Sequence, residues 1–166
     1  MRNLEIKLNG VSSMNPVVLV DDKRVKLKKN SFGNLIANIE TEKETANIKV
    51  YKYLQINSKL WFLAEIFFFI ISLFGVLDYK KDADRNCTVL EADLDVAVKE
   101  QSTLNLVFNS AKKDGKAFEI ESSSEVKENS NISYVDNIAK KRKKILKFMK
   151  IGVALAVAVF VVFVLI

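Results

Sequence analysis

The feature that most constrains this chain is one apolar run, Leu60 to Leu77 (LWFLAEIFFFIISLFGVL), set in the middle of polar sequence patterned as strands. It holds a single charge, Glu65, with Trp61 at one end and Tyr79 beyond the other. Amphipathic rings favour the headgroup level of a bilayer. As a helix the run would extend ~27 Å, just short of a ~30 Å hydrocarbon core. A fully buried core helix is the competing reading. The continuity of the run favours membrane insertion, with Leu60, Trp61, Glu65, Phe68, Ile71, Phe74 and Gly75 as inserting residues.

The flanking sequence reads as short strands. Leu4, Ile6 and Leu8 alternate with Asn3, Glu5 and Lys7, the period of a half-buried strand. Val17 to Val20 and Arg24 to Leu27 flank Asp21-Asp22-Lys23 as a hairpin, with Val25 and Leu27 inward and Arg24, Lys26 and Lys28 outward. A turn around Gly33 leads to Leu35–Ile39, and a longer strand carries Ile48, Val50, Leu54 and Ile56 on one face. Beyond the apolar run the alternation resumes. Leu90, Ala92, Leu94, Val96 and Val98 oppose Glu91, Asp93, Asp95 and Ala97. Leu104, Leu106 and Phe108 follow, and Asp114-Gly115 turns the chain so that Phe118 and Ile120 pair back.

About seven strands result, split by the apolar run. Either half alone is too small to bury a core. The expected fold is mainly β: one small β-sandwich or open barrel built from residues 1–59 and 78–121, interrupted by the membrane-inserted segment 60–77 as a helix or helical hairpin. Residues 122–133 read as a polar linker and 134–166 as a basic helix with a C-terminal transmembrane anchor. In that region Ser133 is expected to open the helix, followed by the run Lys140, Lys141, Arg142, Lys143 and Lys144. Leu146 to Ile166 would extend ~31 Å, enough for one crossing. The N-terminus has no apolar core of the kind a signal peptide needs.

Positive charge concentrates beside membrane segments on the cytoplasmic side, which places Lys140–Lys144 and the β-domain there. If 60–77 also spanned, the two halves of the sandwich would be separated. Entry and exit on one face removes that conflict; a true second span remains the alternative.

The chain has no His and one Cys, Cys87. That removes Ser-His and Cys-His nucleophile pairs, most zinc or iron sites, and any internal disulfide. No catalytic residue, metal ligand or cofactor site is expected. Glu91, Asp93 and Asp95 share one strand face, either as a calcium-binding stripe or as a solvated face paired with Arg24, Lys26 and Lys28. Glu65 is either a functional ionisable group or one that reaches water at the segment's end. Gly152, Ala154, Ala156 and Ala158 form a small-residue face suited to helix association. The net charge of +6 is densest beside the anchor, so anionic lipid explains it better than nucleic acid. Asn86 and Asn131 lie in glycosylation-type triplets.

These features point to an integral membrane protein that is not an enzyme. Its β-domain would act as an accessory, assembly or scaffold subunit, with membrane lipids and another membrane protein, or a second copy, as partners. No nucleic acid or small-molecule substrate is implied. The alternatives are an immunity or inhibitor protein against a membrane-active toxin, and a small transport or channel component using Glu65.

Overall fold

The computed structural model describes residues 1–11, 16–52, 54, 59–63, 66–67, 87–109 and 115–165; side chains at 154, 157, 158, 160, 161, 164 and 165 fall outside that description. Two compact units divide the chain. Met1–Tyr53 with Lys81–Val135 form one, and Leu54–Lys80 with Asp136–Ile166 form the other.

The first unit is mainly β, with two sheets of five strands. The strands are β1 (Arg2–Asn9), β2 (Val17–Val20), β3 (Lys23–Val25), β4 (Lys28–Lys29), β5 (Leu35–Thr41), β6 (Thr45–Tyr51), β7 (Thr88–Ala97), β8 (Gln101–Phe108), β9 (Phe118–Ser122) and β10 (Val126–Val135). One sheet runs β4-β5-β1-β8-β9 and the other β10-β7-β6-β2-β3. Their inner faces share one apolar core, in which Leu4, Ile6, Leu8 and Leu106 from one sheet meet Ile48, Val50, Leu90 and Leu94 from the other. This is the arrangement of a β-sandwich.

Both halves of the sequence contribute to both sheets. β1 pairs with β8 in parallel, from Asn3↔Gln101 to Asn9↔Val107. β6 pairs with β7 antiparallel, from Thr45↔Ala97 to Tyr51↔Glu91. The second junction extends past the ladder, where the Lys52 N–H donates to the Leu90 carbonyl at 3.0 Å and Lys52 Nζ to the Thr88 carbonyl at 3.3 Å. The chain therefore leaves β6 and re-enters β7 on neighbouring strands of one sheet.

Local chemistry accounts for the strand ends. Asp21 and Asp22 both take positive φ, 49° and 62°, and Val20 pairs with Lys23. That is the two-residue turn whose twist matches a hairpin, and Asp tolerates it. Asp21 also fastens the turn to β6. Its Oδ1 accepts the Asn47 N–H at 3.0 Å and its Oδ2 lies 2.6 Å from Lys43 Nζ. The Lys43 ammonium, helped by that backbone donor, holds the Asp21 carboxyl below its ordinary value. The folded state thus prefers the ionised form. Its stabilisation is present above the unfolded carboxyl value and fades as pH falls through the lower folded one. Asp21→Asn should flatten the acid side of the stability profile below about pH 4, and a denaturant titration across pH 2 to 6 reads this. An unchanged acid limb would assign the slope to other carboxylates.

Several expectations differ from the structure, beginning with the strand count: ten strands are described where about seven were expected. The basic arm Arg24–Leu27 is not one strand. β3 borders one sheet, β4 the other, and residues 26–27 carry the chain between them, so inward Val25 ends β3 and inward Leu27 lies in the crossover. Residues 122–133 are not a linker: β10 pairs with β7 from Val126↔Val96 to Val135↔Thr88, with an irregularity between Glu128 and Ser130. Ser133 lies in that strand and does not open the helix. The N-cap is Asp136, whose Oδ1 accepts the N–H groups of Ile138 at 2.8 Å and Ala139 at 3.1 Å, satisfying donors a helix start leaves unpaired. The helix α1 runs Asn137–Leu165.

Asn131 ties the two sheets together. It is buried among core positions opposite Ala92 on β7. Its Oδ1 accepts the N–H groups of Ala117 and Phe118, each at 3.0 Å, and its Nδ2 donates to the Phe118 carbonyl at 2.8 Å. One side chain thus bonds β10 of one sheet to the start of β9 in the other. With its amide so engaged inside the domain, Asn131 is closed to glycosylation in the folded protein.

Candidate membrane-attachment surface

In the second unit, helical turns at 61–63 and 66–67 begin the central apolar run. Leu60 is exposed, and the Trp61 ring meets Phe62 edge-on at 5.6 Å and 77°. The Arg142 guanidinium lies 5.1 Å from the centre of the Trp61 ring, within the range of cation–π attraction. The start of the central run and the basic run of α1 are therefore in contact. Glu65, Phe68, Ile71, Phe74 and Gly75 lie outside the described residues.

Along α1, Lys140, Lys141 and Lys144 are exposed, whereas Arg142 and Lys143 are half-buried. Ala139 and Leu146 are buried, and Met149 is half-buried. Positions 139, 142, 146 and 149 fall on one helical face, so the basic run is not a uniformly solvated stretch. The sequence carries a sign of this in the one Arg among four Lys, since a planar guanidinium stacks on aromatic rings where an ammonium does so less well. Further along, α1 exposes Ile145, Phe148, Ile151, Leu155 and Phe163, large apolar groups that ordinarily mark an interaction surface.

Of the small-residue face, Gly152 and Ala156 are exposed, and a Cβ placed on Gly152 would meet nothing within 4 Å. The side chains of Ala154 and Ala158 lie outside the description. Among the described residues, no helix is long and apolar enough to cross a membrane, so the expected transmembrane helix has no support there.

Glu91, Asp93 and Asp95 do lie on the outer side of β7, but their neighbours are not Arg24, Lys26 and Lys28. β3 is separated from β7 by β6 and β2. Asn47 Nδ2 donates to Asp93 and Asp95 at 2.8 Å each, and Asn129 Nδ2 donates to Asp95 at 2.8 Å. These two amides hold the Asp95 carboxyl below its ordinary value, the Asn47 amide contributing most. Alongside, Asp22 lies 2.7 Å from Lys49 and raises the lysine's value. Asp93 and Asp95 are thus laced to neighbouring amides, with the Lys49 ammonium close enough to feel both charges. Among the described residues, no three His, Cys, Asp or Glu side chains are grouped to hold a metal ion.

Cys87 is buried, 2% exposed, with a positive φ of 51°. The sequence offered no signal for that burial, because the residue sits at the end of a polar stretch. No family model, curated protein or solved structure matches this chain.

Proposed function

We propose that this protein is a membrane-attached, non-enzymatic accessory or scaffold subunit. Its β-sandwich is the recognition domain, and its central run and α1 are the attachment. One observation carries the reading: the apolar run is inserted between two strands that are neighbours in one sheet. β6 and β7 are hydrogen-bonded up to Lys52 and Leu90, so the two strands that flank the run belong to one folded domain and lie on one side of any membrane. A single crossing would pull the ladder apart. An apolar segment that enters and leaves on one face satisfies both the sheet and the bilayer, provided protein neighbours satisfy its backbone.

The contact between Arg142 and Trp61 supports the same arrangement. An aromatic ring at the start of the run and a guanidinium of the basic run occupy one level, where Trp and Arg both favour the headgroup zone. The residues of α1 beyond Lys150 carry no charge and extend from that level. By positive-inside reasoning the β-domain and the basic run share the cytoplasmic face. The partners in this reading are membrane lipids and a second membrane protein.

Accessibility labelling tests the proposal. Buried Cys87 is a poor reporter, so the full chain is prepared with Cys87→Ala and a single cysteine at Glu42, Lys127 or Lys140. The three positions sample both halves of the domain and the basic run. All three should resist an impermeant maleimide in intact cells and react once the membrane is opened. Labelling of one domain position but not the other from outside would sink the single-face topology. Release of the chain by carbonate washing would remove the membrane reading altogether.

A further inference from the structure

The side of the sandwich bordered by β3 and β4 carries an unbalanced charge. Lys23, Arg24, Lys26, Lys28 and Lys29 fall within seven consecutive residues and are exposed or, for Lys23, exposed beside the Asp21 turn. Val25 and Leu27 turn inward against the core, so the alternation directs the cations to water. Elsewhere on the domain several cations are paired: Arg2 with Glu44, Lys7 with Glu5, Lys43 with Asp21, Lys49 with Asp22 and Lys116 with Glu128. Among the described residues, no carboxylate forms an ion pair with Arg24, Lys26, Lys28 or Lys29.

Lysines on an edge strand commonly deter pairing with other strands. That role explains the charge but not the aromatic group beside it. Between β4 and β5 the chain makes a tight loop around Asn30. Asn30 Oδ1 accepts the N–H groups of Phe32 at 3.0 Å and Asn34 at 2.8 Å. The Asn30 carbonyl accepts the Gly33 N–H at 3.1 Å, and the Asn30 N–H donates to the Asn34 carbonyl at 2.9 Å. Gly33 closes the turn at a φ of +83°, which a side chain would oppose. Four hydrogen bonds thus fix the loop, and they hold Phe32 outward at 87% exposure. The Lys29 chain runs alongside, its Cε 3.8 Å from the place a Cβ on Gly33 would occupy.

We propose that the Phe32 loop and the β3–β4 edge form a second membrane contact, one that docks the β-domain on an anionic phospholipid surface. A phenyl ring at the tip of a rigid loop enters the headgroup region, and the flanking cations meet lipid phosphates and serine carboxylates. Charge complementarity selects an anionic leaflet, and the aromatic tip selects a surface with an apolar interior over a soluble polyanion. The inference rests on the membrane reading for its supply of bilayer. It adds lipid selectivity, which the apolar segments alone would not confer.

The test uses the full chain with Cys87→Ala and an environment-sensitive fluorophore on Ser31→Cys, beside Phe32. It is reconstituted into vesicles of phosphatidylcholine alone or with phosphatidylserine. The expected result is a blue-shifted emission and severalfold less quenching by aqueous iodide with phosphatidylserine only, reversed by high salt. The combined variant Lys26→Glu, Lys28→Glu and Lys29→Glu should abolish the shift. Phe32→Ser, a change at a solvent-facing position, should weaken it with the fold intact.

Equal emission in both lipid mixtures, or a shift that survives both variants, would overturn the proposal. So would a shift driven by single-stranded RNA in preference to the vesicles, which would assign the edge to nucleic acid. Flotation with phosphatidylcholine vesicles separates the two claims. A chain that floats but shows no shift refutes this docking contact alone, whereas a chain that does not float refutes membrane attachment.

Discussion

Asn131→Ala should lower the unfolding free energy by about 3 kcal/mol, because it strands three buried backbone groups at once, each costing about 1–3 kcal/mol before relaxation. The N–H groups of Ala117 and Phe118 and the Phe118 carbonyl all bond this one amide, and both residues are almost fully buried. Water has little access, so the loss falls on the native state. Asn131→Asp gives an informative comparison. It retains an acceptor for the two N–H groups but places a carboxylate against the Phe118 carbonyl in place of a donor. That variant should be destabilised comparably at neutral pH and recover partly in acid, where a protonated carboxyl can donate again. The denaturant midpoint at constant slope reads both effects. A loss below about 1 kcal/mol for Asn131→Ala would mean that the sheets are held at this side by apolar packing alone.

Replacing residues 53–87 with a five-residue Gly/Ser/Asn loop should leave the sandwich folded and stabilise it by about 1–2 kcal/mol. The flanking strands are already in register, with Tyr51 opposite Glu91 and Lys52 bonded to Leu90, so a short connection suffices. A connection roughly sevenfold shorter lowers the entropy cost of closure by about 1.7 kcal/mol. Thermal unfolding of the two proteins, followed by circular dichroism in the same detergent, measures the difference. In the attachment reading the shortened chain also holds to membranes through α1 alone and washes off more readily. Failure of the shortened chain to form the sheet would show that the apolar segment is part of the domain's folding, and would set aside its role as an insertion used for attachment.

How far the sequence foretold this architecture can be followed strand by strand. The alternation of β1, β7 and β8 placed Leu4, Ile6, Leu8, Leu90, Leu94, Leu104 and Leu106 inward, and all are core residues. Such strands face a core on one side and water on the other, so period-two patterning is a direct record of their environment. The requirement that two undersized halves share a core likewise follows from surface-to-volume scaling, and β1–β8 and β6–β7 are the seams that realise it.

β10 was illegible for an equally physical reason. Its one fully inward position is filled by Asn131, whose amide does the work an apolar side chain does elsewhere. The irregularity between Glu128 and Ser130 then shifts the period partway along the strand. A polar edge strand with a bulge has the composition of a linker. The β3–β4 crossover was hidden differently. Inward Val25 and Leu27 keep the alternation of one strand while the chain passes from sheet to sheet. In the candidate attachment surface, the end of the apolar run at Trp61 and the basic run were plain from composition. Their contact through Arg142 was not, because sequence spacing says nothing about which distant ring a guanidinium will meet.

The parallel pairing of β1 with β8 has a consequence for how the chain is made. Synthesis proceeds from the N-terminus, and β1 lacks one of its two neighbours until residue 108 has emerged from the ribosome; β6 likewise waits for β7. No sheet of this domain can close before the apolar run has been translated. Contacts between residues this far apart in sequence also form slowly. The middle of the chain is therefore made before either sheet is complete. During that interval the unfinished halves present the open strand edges of β1 and β6, which are templates for pairing with other chains.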